Sequence, residues 1–561
     1  MILRKIIQRA SSKKKSNVLD PDFIDKLDIQ GELDKLRTQI ADSSYDNRNI
    51  KLTHFLKKTP GGNAKKIDFS HLNCLRIQDE SQWDKIPRLT HNLDQIVEQP
   101  GIYKIEDLKG SMPKPSFDFL KNIPQPHEMD FSQIPDYSPP SYDVNLREFA
   151  RFSKSKYLMS TSTISSIISQ VYYLFSVFQE ADYEELPSYG KADMRRYMNA
   201  QRKPSSSFLR CVDKENDIYA LDSDSGVFPP YHKILMDMGN ILEKVYTMEP
   251  EHFEGVFIKG KQDLSKYSLV EEDYHRFLKI NDDLCLRSQI DCQSTLPNGE
   301  KIVYEIKTRA TAPQRYEVTR YKDFMDYKVD PIIGFMNSFE REYYDLIRGA
   351  FMKYFFQLKI GGMDGALIGF HNTVSNFGFE YVKRSTIEKL IFGNAFKADV
   401  VFMVCSKIVT TILDEILVTL KGKDYEFLKI SYGAYSSEMK LTFAVELFTD
   451  EDYDLYKKKM IPHTEEIFEV TQYYQKYRPN CTVYKYDIRL FPKLNGIYNL
   501  TAFQDITEED KLELEYTFED CGIMDKSDYL QLLLNSYKTL YGTLEMRYGA
   551  NWFMTELEYK F

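Results

Sequence analysis

The sequence predicts an α/β fold, a mixed sheet flanked by helices with an N-terminal arm and C-terminal additions, and three observations predict it. A strand-turn-strand pattern runs from Leu286 to Arg309 around Pro297-Asn298-Gly299. Amphipathic helical runs stand on either side of it, at 231–247 and 341–361. Apolar strand candidates follow from Ala366, Asp399 and Leu441, with a helix from Lys407 between the last two. Period-two alternation bounded by turn residues marks strands, and apolar positions three and four apart mark a helix face.

The hairpin carries chemistry in its spacing. In an antiparallel pair centred on Asn298, paired residue numbers add to a constant, which sets Asp291 opposite Glu305. Side chains two apart share a strand face, so Glu305 and Lys307 point the same way. Two hard carboxylates at one place supply oxygen ligands for Mg²⁺ or Mn²⁺, and an open site that keeps several waters suits such an ion. Phosphodiester hydrolysis needs a divalent ion to neutralise phosphate oxygens and to turn water into hydroxide. Lys307 would then orient or deprotonate the water, or stabilise the transition state. Acidic and basic residues alternate with apolar ones on ordinary half-solvated strands too, so the flanking helices matter.

In the run 231–247, Leu235, Met238, Leu242 and Val245 recur at helical spacing, Glu243 stands beside that stripe and Gly239 lies one turn before it. A missing side chain at Gly239 would let the helix approach a sheet edge and bring Glu243 to the site as a further metal ligand. The plainer alternative is a boundary glutamate. The run from Arg341 reads as one long helix ending at Gly361-Gly362, with Ile347, Phe351 and Leu358 on its core stripe and Ala350, Tyr354 and Gln357 on a neighbouring line. Gln357 and Tyr354 are substrate-side candidates or holders of Lys307, and equally an ordinary amphipathic edge. Arg309, on the strand face of Lys307, and Arg287, four residues before Asp291, are candidate phosphate contacts or else solvated surface charges.

The order helix-Glu, strand-Asp, strand-Glu-x-Lys, helix-Gln resembles the PD-(D/E)XK nuclease superfamily, in the branch that includes RecB-like and lambda-type exonucleases. Ile290 stands where that pattern often has Pro. A closer resemblance runs from about residue 70 to about 450. It is carried by P-G-I-Y from Pro100, K-Y-L-M-S-T-S-T-I-S-S-I-I-S from Lys156, D-I-Y-A-L-D-S-D from Asp217 and L-R-S-Q-I-D-C from Leu286. It continues in E-I-K-T-R-A from Glu305, R-E-Y-Y-D-L-I-R-G-A-F-M-K-Y-F-F-Q from Arg341 and G-A-L-I-G-F-H-N-T-V-S-N-F-G-F from Gly365. These blocks look like the mitochondrial Pet127 family. The resemblance implies a 5′-to-3′ exoribonuclease that trims precursor and decaying mitochondrial RNA, works near the mitochondrial RNA polymerase and sits peripherally at the inner membrane.

Composition bounds these readings without supplying them. At 561 residues and 42% hydrophobic content the chain can bury more than one core. A net charge of −10 excludes general electrostatic coating of nucleic acid, so phosphate contact must be local. The 40 Tyr and 36 Phe offer stacking platforms for single strands, though most belong in cores. Seven scattered cysteines form no C-x-x-C pair, which points to a reducing compartment and no zinc site. Cys292, beside Asp291, either feels the metal or is simply buried.

The first fifteen residues are basic, acid-free and apolar on one helical face, which resembles a mitochondrial presequence, with a basic RNA-binding tail as the alternative. The expected division is a targeting segment 1–20, a flexible linker 21–65, a family-specific region 66–205 with an extended arm near Pro100, a nuclease core 206–450 and a helical packing region 451–561. The hydroxyl-rich run from Ser160 reads as a capped helix. The function these readings imply is a Mg²⁺- or Mn²⁺-dependent nuclease on single-stranded mitochondrial RNA. In it Asp291, Glu305 and Glu243 hold metal, Lys307 activates or positions water and Gln357 helps on the substrate side. A mitochondrial DNA exonuclease would use the same residues, and a non-catalytic RNA-binding or polymerase-tethering factor is the rival of another class.

Overall fold

The computed structural model describes residues 63–536 apart from 70–71, 78–79, 136, 190–196, 225–231, 268–273 and 461–469. The expected targeting segment 1–20 and nearly all of the expected linker 21–65 lie outside the described residues. Within them the fold is α/β, with mixed sheets flanked by helices, as the sequence predicts.

The larger sheet has the order β1 (Lys65–Ile67), β17 (Leu512–Ile523), β15 (Val483–Leu494), β14 (Lys440–Phe448), β13 (Phe427–Tyr435), β5 (Ser205–Asp213), β6 (Ile218–Ser223), β4 (Tyr157–Ser160), β8 (Leu284–Gln289), β7 (His275–Ile280) and β2 (Cys74–Ile77). A short β16 (Ile497–Tyr498) pairs with β15. The smaller sheet has the order β3 (Ile102–Lys104), β12 (Asn376–Lys383), β11 (Gly365–His371), β10 (Lys301–Ala310) and β9 (Cys292–Thr295). Strand β10 runs parallel to β11, and the other pairs in this sheet are antiparallel. The arm near Pro100 therefore joins the smaller sheet as its edge strand. Gly378 makes this approach possible, because a Cβ there would meet the Tyr103 carbonyl oxygen at 2.2 Å.

Helix α1 (Thr161–Phe175) follows β4 and is almost wholly buried. Its start differs from the expected cap: the Ser160 hydroxyl makes no bond to the helix backbone. It bonds instead to the hydroxyls of Ser162, Thr163 and Tyr137, at 3.0, 3.1 and 2.8 Å.

Helix α2 (His232–Thr247) lies on the face of the smaller sheet that presents Tyr304, Ile306, Leu367, Phe379 and Tyr381. Its Met238, Ile241, Leu242, Val245 and Tyr246 complete that core. A Cβ on Gly239 would stand 3.4 Å from the Thr308 hydroxyl, so the close approach expected at this glycine is present. A short helix α3 (Ala312–Tyr316) continues directly from β10.

Three sequence expectations are corrected. The run from Arg341 forms two helices, α4 (Phe339–Gly349) and α5 (Phe351–Gly361), broken at Ala350 with φ −129° and ψ −36°. The break arises because outside donors take the helix carbonyls: Met198 N–H bonds to the Arg348 oxygen at 3.0 Å, and the Gln201 amide donates to the Gly349 oxygen. The stop at Gly362 holds, in the left-handed conformation with φ +62°.

The strand expected from Asp399 is instead the start of a 25-residue helix, α6 (Ala395–Thr419), capped by the Asn394 side chain on Lys397 N–H at 2.8 Å. Ala398, Phe402, Cys405, Val409, Leu413 and Ile416 are buried at spacings of three and four, so helical burial overrides the β-branched composition. Finally, the C-terminal region expected to be helical contributes β15 and β17, two 12-residue strands of the larger sheet. Its Tyr456, Tyr473 and Tyr474 are buried core residues.

Candidate active site

Strand β10 pairs with β9 from Lys301 to Tyr304, the partner of Cys292 where β9 begins, and with β11 from Tyr304 on, so the two partners overlap only at Tyr304. From Glu305 onward β11 continues on one side and the other edge is open. Asp291, one residue past the last hairpin pair, closes part of that edge: its Oδ2 accepts the Ile306 backbone N–H at 2.9 Å. The register centred on Asn298 thus puts Asp291 beside Glu305 and Lys307, as the turn chemistry predicts.

Glu305 is 5% exposed, and its Oε1 accepts from both Lys307 Nζ and Gln357 Nε2, the latter at 3.1 Å. Gln357 lies on α5, as does Tyr354, whose ring centre is 5.9 Å from Lys307 Nζ. Glu243 comes from α2 in the layer across the sheet, close enough for its charge to act on Asp291, Lys307 and Glu305. Five sequence candidates, Glu243, Asp291, Glu305, Lys307 and Gln357, are therefore together, with Tyr354 beside them.

The electrostatics follow from this crowding. Burial first, then the Glu305 charge, push the Asp291 carboxyl up to about 7, against the pull of Lys307 and the Ile306 N–H. Glu243 is raised well above the usual carboxylate range by burial and then by Asp291. Burial works against the Lys307 ammonium, but Glu305, Asp291 and Glu243 outweigh it and hold the proton above its ordinary value.

The donor set fits an open magnesium-type site. Asp291 and Glu305 are hard oxygen donors, and the carboxamide oxygen of Gln357 is buried without a hydrogen-bond partner. Among the described residues no three His, Cys, Asp or Glu side chains stand close enough to form a closed metal cage. Water and substrate phosphate would have to complete the coordination.

Arg287 and Arg309 are corrected as free phosphate contacts. Arg287 lies in the larger sheet, 9% exposed, with its guanidinium spent on Asp143 and on the Ser138 carbonyl at 2.7 Å. Arg309 shares the Lys307 face but is 8% exposed and bonded to Glu342 at 3.2 Å. Cys292 is fully buried, and burial pushes its thiol up to about 12, so it is a packing residue.

The sequence reading missed Lys353. It is exposed, one turn before Gln357 on the same face of α5, and the protein around its ammonium, then Lys307, lower its pKa. The i, i+4 spacing to Gln357 was the available signal.

Residues 137–414 match the family described as Mitochondrial protein Pet127. The chain is 29% identical over 319 residues to the mRNA degradation protein pet127, mitochondrial, of Schizosaccharomyces pombe, covering 56% of this chain and 59% of that one. It is 28% identical over 337 residues to the putative mitochondrial translation system component PET127 of Saccharomyces cerevisiae, covering 57% of this chain and 39% of that one. The matched part thus spans less than two thirds of either relative.

Among solved structures, K. lactis Dxo1 in complex with manganese aligns with a TM-score of 0.32 at 12% identity, covering 68% of this chain and 91% of that one. Scheffersomyces stipitis Rai1 in complex with (3'-NADP)+ and calcium ion aligns with a TM-score of 0.30 at 12% identity, covering 72% and 97%.

Proposed function

Because the chain belongs to the mitochondrial Pet127 family, we propose that it is a mitochondrial, divalent-metal-dependent exoribonuclease that shortens single-stranded RNA from its 5′ end. The observation that carries the chemistry is the convergence of Asp291, Glu305 and Lys307 at the open edge of β10, with Gln357 bonded to Glu305. The RNA substrate and the mitochondrial setting come from the relatives, whose names record mitochondrial mRNA degradation and translation. The 5′-to-3′ direction and the association with polymerase and inner membrane rest on the family resemblance. Among the described residues no helix is long and apolar enough to cross a membrane.

Asp291 and Glu305 would hold Mg²⁺ or Mn²⁺, with Glu243 reaching it through water. When bound, the ion neutralises phosphate oxygens and acidifies water. The chain's own groups do the rest. The Ile306 N–H fixes the Asp291 carboxylate, and Gln357 fixes that of Glu305. Lys307, held as an ammonium beside them, donates to a phosphate oxygen as negative charge builds in the transition state. Tyr354 sets its ring 5.9 Å from the Lys307 ammonium and would help to position it.

A second reading, RNA binding without catalysis, is favoured by the absence of a closed carboxylate cage among the described residues. Adding Mg²⁺ or Mn²⁺ to chelator-treated protein separates the two: metal-restored cleavage that Glu305→Gln abolishes supports the nuclease. RNA binding with no metal-dependent cleavage supports the rival.

A further inference from the structure

A ladder of alternating cations and rings crosses the larger sheet, away from the Glu305–Lys307 row. The Tyr142 ring centre lies 5.1 Å from the Arg210 guanidinium, which lies 5.4 Å from the Phe427 ring centre. Phe427 stacks on Tyr453 with ring centres 4.0 Å apart and planes 17° from parallel, and the Lys457 ammonium stands 5.1 Å from the Tyr453 ring centre. The 3₁₀ turn Pro140–Tyr142, strands β5 and β13 and the helix Asp450–Met460 each supply part of it.

The inner half of the ladder has a structural explanation, because Phe427 is buried and a guanidinium packs well between rings. The outer half does not. Tyr142 leaves 54% of its surface open. Arg210 is half-buried, and among the described residues its guanidinium makes no hydrogen bond or ion pair, with Nε closed off from solvent and unpartnered. Asp222, whose carboxyl feels the charges of both Arg210 and Lys457, accepts the Ser141 N–H at 3.0 Å and bonds to neither cation. Stacking on the rings leaves the N–H donors of Arg210 unspent, since they lie in the guanidinium plane.

Position and chemistry together name the ligand. Arg210 of β5 stands in register with Ala220 of β6, Leu158 of β4 and Cys285 of β8, so it lies three strand spacings, about 14 Å, across the sheet from the strand that leads to Asp291. A second open ring stands between. Tyr137 is 58% exposed and donates its hydroxyl to Ser160 at 2.8 Å, and Ser160 is the register partner of Arg287 in β8. A strand leaving the end of β8 in this direction meets Tyr137 first and Tyr142 next. An open ring beside an unspent guanidinium fits a nucleotide, with the base on the ring and the phosphate on the fork. An acidic peptide would use the guanidinium and leave the ring idle.

We propose that Tyr142 and Arg210 form a second nucleotide-binding site, remote from the cleavage row, for the body of a single-stranded RNA. A base stacks on the open face of Tyr142, Arg210 holds the adjoining phosphate, and Tyr137 is the platform on the way. This deepens the RNA reading of the function, on which the identity of the ligand rests. The second site holds the body of the strand on the protein while its end is shortened.

The test uses the full chain in chelator, so that no RNA is cut. Fluorescence anisotropy compares labelled single strands of about 6 and about 20 nucleotides, and the longer strand is expected to bind at least about tenfold tighter. Tyr142→Ala and Arg210→Gln, confirmed folded by thermal melting, should each remove most of that gain, whereas Tyr142→Phe, which keeps the ring, should retain it. Arg210→Gln should also flatten the salt dependence of long-strand binding by about 0.7 in log–log slope, the share of one phosphate contact. Absence of the gain in wild type, or a folded Tyr142→Ala or Arg210→Gln that keeps it in full, would overturn the site. Binding of a labelled poly-glutamate peptide that Arg210→Gln abolishes, with no length gain on RNA, would assign the site to an acidic protein partner and overturn it as well. Metal-dependent cleavage with no length gain would leave the nuclease reading standing and remove only the second site. A length gain without cleavage would do the reverse.

Discussion

Asp291→Asn should remove cleavage and yet stabilise the metal-free protein above neutral pH. In the fold the Asp291 carboxyl holds its proton up to about 7, against an ordinary value of 3.8, because burial and Glu305 oppose its charge. Such a group binds more protons folded than unfolded. Its contribution is therefore full below about 3.8 and is lost as pH rises towards 7. At about 1.4 kcal/mol per pH unit the full loss is roughly 4 kcal/mol, which solvent at the partly open strand edge reduces to about 1–3 kcal/mol. Asparagine keeps an oxygen for the Ile306 N–H, now at 2.9 Å from Oδ2, and carries no charge. Urea melts in chelator should thus show the variant more stable than wild type by about 1–3 kcal/mol at pH 8, with the gap closing towards pH 4. Losing one metal ligand removes several kcal/mol of transition-state stabilisation, so cleavage should fall by orders of magnitude. A variant destabilised at pH 8, or one that cleaves at the wild-type rate, would refute this electrostatic reading of the site.

Other expectations follow from single contacts. Glu380, on the same sheet row as Lys307, is pushed up to about 8 by burial and has an oxygen without a partner. Stability should therefore fall as pH rises towards 8, and Glu380→Gln should remove part of that fall in pH-dependent melts. Gly378→Ala forces a Cβ against the Tyr103 carbonyl, so it should cost about 1–3 kcal/mol and expose the β3 arm to limited proteolysis. Unchanged digestion would show that the arm tolerates displacement. Arg287→Ala leaves the buried Asp143 carboxylate without its cation, held only by the Leu146 N–H at 2.9 Å, and should cost about 3–5 kcal/mol in denaturant melts, while the folded fraction keeps its RNA affinity. A loss of affinity without a loss of stability would restore Arg287 as a phosphate contact.

The site was legible where local rules fix geometry. Asn298-Gly299 sets the hairpin register, and two-residue alternation then brings Asp291, Glu305 and Lys307 together without long-range information. Gly239 and Glu243 were readable because a helix face has a fixed period. The break at Ala350 was not, since it depends on Met198 and Gln201, about 150 residues away in sequence. Arg287 and Arg309 looked like free charges for the same reason: their partners Asp143 and Glu342 are brought to them by the tertiary fold. In α6 the helical period was present, but Val, Ile and Thr obscured it, because β-branched composition is a weak prior beside burial. The strands β15 and β17 are amphipathic and partly charged, so their pairing shows only once the larger sheet is assembled.

The most direct measurement is a time course of purified chain on one single-stranded RNA, labelled at the 5′ end in one sample and at the 3′ end in the other, with Mg²⁺ or Mn²⁺ supplied or chelated. The account requires the 5′ label to appear at once in mono- or short oligonucleotides while the 3′-labelled strand shortens progressively, only with metal, and not with Glu305→Gln. Cleavage that persists in chelator or in Glu305→Gln would contradict the site, and progressive shortening from the 3′ end would contradict the direction.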